Sequence, residues 1–69
     1  MEKIDVSGLS CPIPVVRTKK LIDAGNAEIL VTGDSSVSKE NITKLAAKSG
    51  YGINVLRDEK GAWELELRK

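Results

Sequence analysis

The residue best suited to chemistry in this 69-residue chain is Cys11, the only cysteine, which lies between Ser10 and Pro12. Pro14 follows two residues later, and proline is well tolerated in a first helical turn, where its missing N–H loses no intrahelical partner. The motif therefore predicts a helix that begins between Pro12 and Pro14. A cysteine beside a helix N-terminus lies near the positive end of the helix dipole, which favours a thiolate. Cys11 is accordingly a candidate nucleophile.

The composition limits what this thiol can do. A lone cysteine is often a small buried hydrophobe, so an inert structural role is the alternative. The chain has no histidine, which removes a Cys/His dyad, and no second cysteine, which removes an internal disulfide. One cysteine without histidine also predicts no metal site, and so small a domain predicts no enclosed cofactor. What remains is one thiol that accepts a chemical group and passes it on.

The length, charge and hydropathy of the chain indicate one domain and the compartment in which it works. Eleven basic and ten acidic residues nearly cancel, which argues against a dedicated nucleic-acid-binding protein. No apolar run has the length of a membrane span or the position of a signal-peptide core. A single cysteine fits a reducing compartment. We therefore expect a cytoplasmic protein with one domain over residues 1–69, without direct contact to nucleic acid or membrane.

Hydrophobic periodicity and turn residues predict six elements in the order βαβαββ. Strands are predicted over residues 3–6, 28–32, 53–57 and 62–68, and helices from the proline motif to about residue 24 and over residues 37–49. Two right-handed parallel crossovers that advance in the same direction put both helices on one face of the sheet. The predicted fold class is therefore α+β, a two-layer sandwich with the other sheet face in water.

Several single residues carry specific expectations. Gly8 is expected to let the loop turn, and Leu9 to fill the core beneath it. Asp34 is expected to cap the second helix, although the end of a parallel strand would also bring it beside the Cys11 loop. Tyr51 is expected to pack with a solvated hydroxyl, and Trp63 to lie in the core.

The first helix carries a basic surface that is a candidate docking site. Its inward stripe is predicted to contain Val15, Thr18, Leu21 and Ile22. Arg17, Lys19 and Lys20 then face solvent, and a plain solvated face is the ordinary interpretation of such residues. Arg17 and Lys20 lie on a similar side, with Arg17 nearer to Cys11. These two residues are the candidates for docking a partner, and Arg17 also for favouring a thiolate.

The signature of the whole motif resembles that of the TusA/SirA-like sulfur carriers: Asp5-x-x-Gly8-Leu9-x-Cys11-Pro12-x-Pro14, followed by Lys19-Lys20. The resemblance extends over essentially the whole chain in element order and length. It implies a mixed four-stranded sheet in which the last strand lies between the second and the third. It also implies that Cys11 carries the sulfur, while Gly8, Leu9, Pro12 and Pro14 support the motif.

The function implied by the resemblance is that of a sulfurtransferase-type carrier. Cys11 would take sulfane sulfur from the persulfide of a cysteine desulfurase and deliver it to a downstream acceptor protein, often toward thiolation of a tRNA wobble uridine. Residues 34–51 resemble the amino-terminal domain of YedF-type proteins, which are linked to selenium metabolism and carry a DsrE-like second domain. Selenium handling is therefore one alternative, and the chain is either a free-standing carrier or one domain of a longer protein. An interaction or regulatory domain with an inert cysteine is the alternative from another class, so an enzymatic activity stays open.

Overall fold

The computed structural model describes residues 2–10 and 12–69 and confirms the predicted order of elements. The strands are β1 (Glu2–Asp5), β2 (Glu28–Gly33), β3 (Gly52–Glu59) and β4 (Ala62–Arg68), and the helices are α1 (Ile13–Asp23) and α2 (Ser36–Lys48). Met1 and Cys11 lie outside the described residues. Within the described part of the chain, no helix is long and apolar enough to cross a bilayer.

The four strands form one mixed sheet in the order β1-β2-β4-β3. β1 runs parallel to β2, whereas β4 runs antiparallel to both β2 and β3. The last strand therefore lies between the second and the third, as the family resemblance implied. The end of β1 and the end of β2 lie side by side, since Asp5 is in register with Thr32. This edge of the sheet carries the connection from β1 to α1, which contains Cys11 in the sequence.

The core lies between the two helices and one face of the sheet. In β2 and β4 every second residue is buried, and the register places Ile29 beside Leu67 and Val31 beside Leu65. Ile42 and Ala46 of α2 cover these side chains and are fully buried. The intervening residues of both strands are more exposed, which is the pattern of a sheet with one wet face. The two-layer α+β prediction is confirmed.

Trp63 is a core residue, as its size predicted. Its ring is 3% exposed, and its Nε1–H donates to the backbone carbonyl oxygen of Ser35 at 2.8 Å. The ring lies against Gly33 so closely that a Cβ at position 33 would be 2.3 Å from Cζ2 of Trp63. A side chain at position 33 would therefore occupy the space of the ring. Trp63 therefore links β4 both to the end of β2, through Gly33, and to the N-cap of α2, through Ser35.

Tyr51 also packs in the core, as predicted. The prediction that its hydroxyl is solvated is wrong. The residue is 5% exposed, and the hydroxyl donates to the backbone carbonyl oxygen of Asn26. Buried hydroxyl groups usually find such a partner because an unpaired polar group in the core is costly. The bond ties the start of β3 to the turn between α1 and β2.

Candidate functional site

Cys11 itself lies outside the described residues, so its surroundings are built from the residues on either side. The cysteine loop, residues 6–12, connects the end of β1 to the start of α1. Its first residue, Val6, is buried and extends the parallel pairing by donating its N–H to the carbonyl oxygen of Thr32 at 2.8 Å. The loop therefore starts from a fixed point beside β2.

Two carboxylates accept hydrogen bonds from the next two backbone amides of the cysteine loop. The N–H of Ser7 donates to Oδ1 of Asp5 at 2.9 Å, and the N–H of Gly8 donates to Oδ2 of Asp34 at 3.0 Å. Gly8 has a φ of +76°, which confirms that this position needs the conformational freedom of glycine. Hydrogen bonds from the hydroxyl and the N–H of Ser7 hold the pKa of Asp5 below its ordinary value.

The prediction that Asp34 caps α2 is wrong. The N-cap is Ser35, whose Oγ accepts the N–H of Ser38 at 3.4 Å. Asp34 is instead the residue that contacts the cysteine loop. The signal for this role was its position at the carboxyl end of β2, next to the parallel strand that leads into the loop. Capping preference could not reveal it, because aspartate and serine are both good N-caps.

The start of α1 agrees with the proline motif. Pro12 is the N-cap and Ile13 the first helical residue, which lies within the predicted interval. The N–H of Ile13 donates to the carbonyl oxygen of Ser10 at 3.0 Å, while Pro12 and Pro14 have no N–H. The amides of residues 12–14 therefore offer no free donor to an anion. The helix dipole, on which the sequence prediction rests, is therefore the feature of this helix start that favours an anion.

Pro14 and Leu9 both reach the core beneath the cysteine loop. Leu9 is partly buried and packs against the core cluster, in agreement with its prediction. Pro14 is fully buried on the inward face of α1 together with Thr18 and Ile22. Its carbonyl oxygen accepts the hydroxyl of Thr18 at 2.9 Å. The burial of Pro14 was missed because proline in the motif was interpreted only as a backbone constraint.

A surface groove runs along α1 beside β1. We call it the α1 groove; its volume is about 520 Å³ and it is lined by Ile4, Ile13, Val16, Arg17, Lys20 and Leu21. Its apolar wall is open to solvent, since Ile13 is 43% exposed and Val16 47%. Arg17 and Lys20, the two candidate docking residues, lie beside these apolar side chains. They are three residues apart on α1, so they lie on the same side of the helix, and both are exposed. The groove begins two residues after Cys11 in the sequence.

Arg17 and Lys20 of the α1 groove differ from the neighbouring Lys19 in their ion pairing. Lys19 forms an ion pair with Asp23 at 2.8 Å. Among residues 2–10 and 12–69, no acidic side chain forms an ion pair with Arg17 or Lys20. Both cations are therefore free to face a negatively charged surface.

A second groove of similar volume, about 530 Å³, lies between α2 and β3 on another part of the surface. Volume alone therefore does not select a site; nearness to the cysteine loop selects the α1 groove. No group of three potential metal-ligating side chains converges within the part of the chain that the structure describes. Fold and site together define a small two-layer α+β protein with one cysteine loop and an adjoining basic, apolar groove.

Comparison with known proteins places this architecture in a family. A family model described as "Sulfurtransferase TusA" matches residues 2–69, so the chain belongs to the TusA family of sulfur carriers. Membership of such a family implies a protein that donates sulfur and a protein that accepts it.

Three individual proteins show how far the similarity extends. The chain is 34% identical over 71 residues to a protein of Methanocaldococcus jannaschii named as a candidate sulfur carrier, covering 100% of this chain and 95% of the relative. It is 26% identical over 72 residues to the sulfur carrier protein TusA of Allochromatium vinosum, covering 99% and 92%. The crystal structure of a SirA-like protein from Desulfitobacterium hafniense is 35% identical, with a TM-score of 0.84 and coverage of 99% and 96%.

Proposed function

We propose that this protein relays sulfur as a persulfide on Cys11, from a cysteine desulfurase to a downstream acceptor protein. The observation that carries the proposal is the position of the only cysteine, one residue before the N-cap of α1, in a member of a sulfur-carrier family. A reducing compartment such as the cytoplasm would keep the thiol available. Thiolation of tRNA is one destination for the sulfur, reached through the acceptor and without direct contact of this chain with RNA.

The proposed transfer is an exchange between two sulfur nucleophiles. The Cys11 thiolate attacks the outer sulfur of the donor's persulfide, the donor's sulfur–sulfur bond breaks, and its cysteine leaves as a thiolate. The outer sulfur keeps its proton and is now bonded to Cys11, so the step has no net oxidation or reduction. Delivery repeats the reaction, with a thiolate of the acceptor attacking the outer sulfur on Cys11. Exchange of this kind depends on the thiolate fraction of the attacking cysteine and on access to it.

The α1 groove supports a docking role for Arg17 and Lys20 in this relay. Two partners must each bring a sulfur atom to Cys11 and then dissociate, so the contact has to be specific and short-lived. Unpaired positive charges increase the rate of encounter with an acidic surface, and exposed apolar side chains such as Ile13 and Val16 supply contact area. We therefore propose that donor and acceptor bind across the α1 groove with a surface that combines carboxylates and apolar side chains.

Mass spectrometry of the intact protein tests the relay. After incubation with a cysteine desulfurase and cysteine, the wild-type protein should gain one sulfur atom that a thiol reductant removes, and Cys11→Ser should gain none. The absence of any gain would support the interaction-domain alternative, in which Cys11→Ser also keeps its function in cells. A preference for selenium over sulfur, when the donor is supplied with selenocysteine, would support the selenium-handling alternative.

Charge reversal tests the docking proposal. Arg17→Glu combined with Lys20→Glu should slow sulfur transfer from the desulfurase, most strongly at low ionic strength, because electrostatic steering is screened by salt. The matched control is Lys44→Glu with Lys48→Glu, which changes the net charge equally on exposed positions of α2. Alkylation of Cys11 by iodoacetamide needs no docking and should change little. Equal slowing of transfer and alkylation would mean that Arg17 acts on the thiolate itself, and equal slowing by both double variants would contradict docking at α1.

A further inference from the structure

Asp34 makes a long-range contact for which the relay chemistry gives no reason. Its Oδ2 accepts the N–H of Gly8 at 3.0 Å, although the two residues are 26 positions apart in sequence. The bond joins the middle of the cysteine loop to the turn that follows β2. Both partners are exposed, so burial does not account for the contact.

The backbone on both sides of Asp34 is fixed by other contacts. Gly33 before it is the last residue of β2 and lies under the ring of Trp63. Ser35 after it caps α2, and its carbonyl oxygen accepts Nε1–H of Trp63 at 2.8 Å. The carboxylate of Asp34 is therefore carried by a rigid part of the molecule. Groups that hold a functional loop are most effective when the scaffold that carries them is rigid.

The charge of Asp34 does not favour the chemistry of Cys11. A carboxylate close to the loop disfavours a thiolate or an anionic persulfide, because like charges repel. The hydrogen bond to Gly8 is the favourable contribution that remains, and charge-assisted bonds of this kind are stronger than neutral ones. An asparagine would offer the same type of acceptor without the charge.

We infer that Asp34 is a positioning residue for the cysteine loop: by holding Gly8, it fixes the path of this loop so that the persulfide of a partner can be attacked there. The inference rests on the proposed relay. Because a protein partner presents its persulfide in one orientation, transfer depends on how the loop is held. A small alkylating agent approaches the thiol from many directions, so the rate of alkylation does not depend on how the loop is held.

Two substitutions separate the hydrogen bond from the charge. Asp34→Ala removes both and should slow transfer from the desulfurase about tenfold, whereas Asp34→Asn keeps an acceptor and should stay within about twofold of wild type. Alkylation of Cys11 by iodoacetamide in Asp34→Ala should be as fast as in wild type or faster. The matched control is Asp58→Ala, which removes an exposed carboxylate paired with Lys39 on another part of the surface.

The results that would overturn the inference are specific. Transfer at the wild-type rate in Asp34→Ala, or transfer as slow in Asp34→Asn as in Asp34→Ala, would exclude positioning through the hydrogen bond. Amide hydrogen exchange of Gly8 is the second measurement: protection should be kept in Asp34→Asn and lost in Asp34→Ala, and unchanged protection in both would overturn the inference. If Asp34→Ala does not fold, Asp34→Glu takes its place, because its longer side chain displaces the acceptor.

The exchange measurement also separates this inference from the proposed function. If the wild-type protein takes up no sulfur from the desulfurase, the relay fails. Exchange of Gly8 in the two variants would still show whether Asp34 orders the loop.

Discussion

Replacing Gly33 by alanine should destabilise the protein strongly, although it adds a single methyl group. The new Cβ would lie 2.3 Å from Cζ2 of Trp63 and 2.8 Å from two further ring atoms. Carbon atoms in contact prefer a separation of about 3.5–4.0 Å, so the ring must move by roughly 1 Å or more. Trp63 is 3% exposed, so the ring is enclosed by other residues rather than by solvent. Either the ring or the end of β2 must therefore shift.

The size of the effect follows from two losses. Overpacking a core costs about 1–3 kcal/mol, and weakening the bond from Nε1 of Trp63 to Ser35 adds about 0.5–1.5 kcal/mol. We expect Gly33→Ala to lower the free energy of unfolding by about 2–4 kcal/mol. For a domain of 60–100 residues, 1 kcal/mol shifts Tm by about 4–8 °C, so the expected decrease in Tm is of order 10–30 °C.

Thermal melts followed by far-UV circular dichroism provide the measurement. Gly52→Ala is the matched control, because a Cβ there would meet only the carbonyl oxygen of Arg68 at 3.5 Å, an ordinary contact. Replacing Trp63 by phenylalanine removes much of the ring, so its cost should be smaller in the Gly33→Ala background than in wild type. Equal Tm values for the two glycine variants, or strictly additive costs in the double variant, would refute the packing of Gly33 on Trp63.

Three further predictions concern the thiol, the loop and the core. Cys11→Ser should abolish sulfur loading while changing the free energy of unfolding by no more than about 0.5 kcal/mol, as measured by urea denaturation. Ser7 lowers the pKa of Asp5, so this carboxylate stabilises the folded state at neutral pH and loses that contribution as the pH falls below the ordinary value of 3.8; the protection of the Ser7 amide, measured as its exchange rate relative to an unstructured peptide at the same pH, should then decrease. Tyr51→Phe removes the hydrogen bond to the half-buried carbonyl oxygen of Asn26 and should cost about 0.5–1.5 kcal/mol in a denaturant melt.

The fold was predictable from the sequence where a pattern has one physical cause. Alternation in residues 62–68 and the size of Trp63 both report burial on one side of a sheet, and both predictions are confirmed. The position of β4 between β2 and β3 has no such local signal. The same alternating pattern suits a central strand or an edge strand, so only the family resemblance could predict the strand order.

The missed features of the site all depend on contacts between distant residues. Asp34 was expected to cap a helix because local sequence contains the capping preference but not the distance to Gly8. The hydroxyl of Tyr51 finds its partner 25 residues away. Burial of Pro14 depends on how α1 rotates against the sheet. Residue type and local spacing predicted where each residue lies along its element, while tertiary packing decided its partner.

The prolines that mark the motif also restrict how this protein can stabilise an anion near Cys11. An ordinary helix N-terminus offers several unpaired N–H groups, but two of residues 12–14 are prolines, and Ile13 donates its N–H to Ser10. Direct hydrogen bonding from these residues is therefore excluded, and in the proposed relay the helix dipole would favour the anion at longer range. Weak stabilisation suits a relay, because a persulfide held by strong hydrogen bonds would be harder to pass on. In this view the prolines stiffen the start of α1 and leave the outer sulfur available to the acceptor.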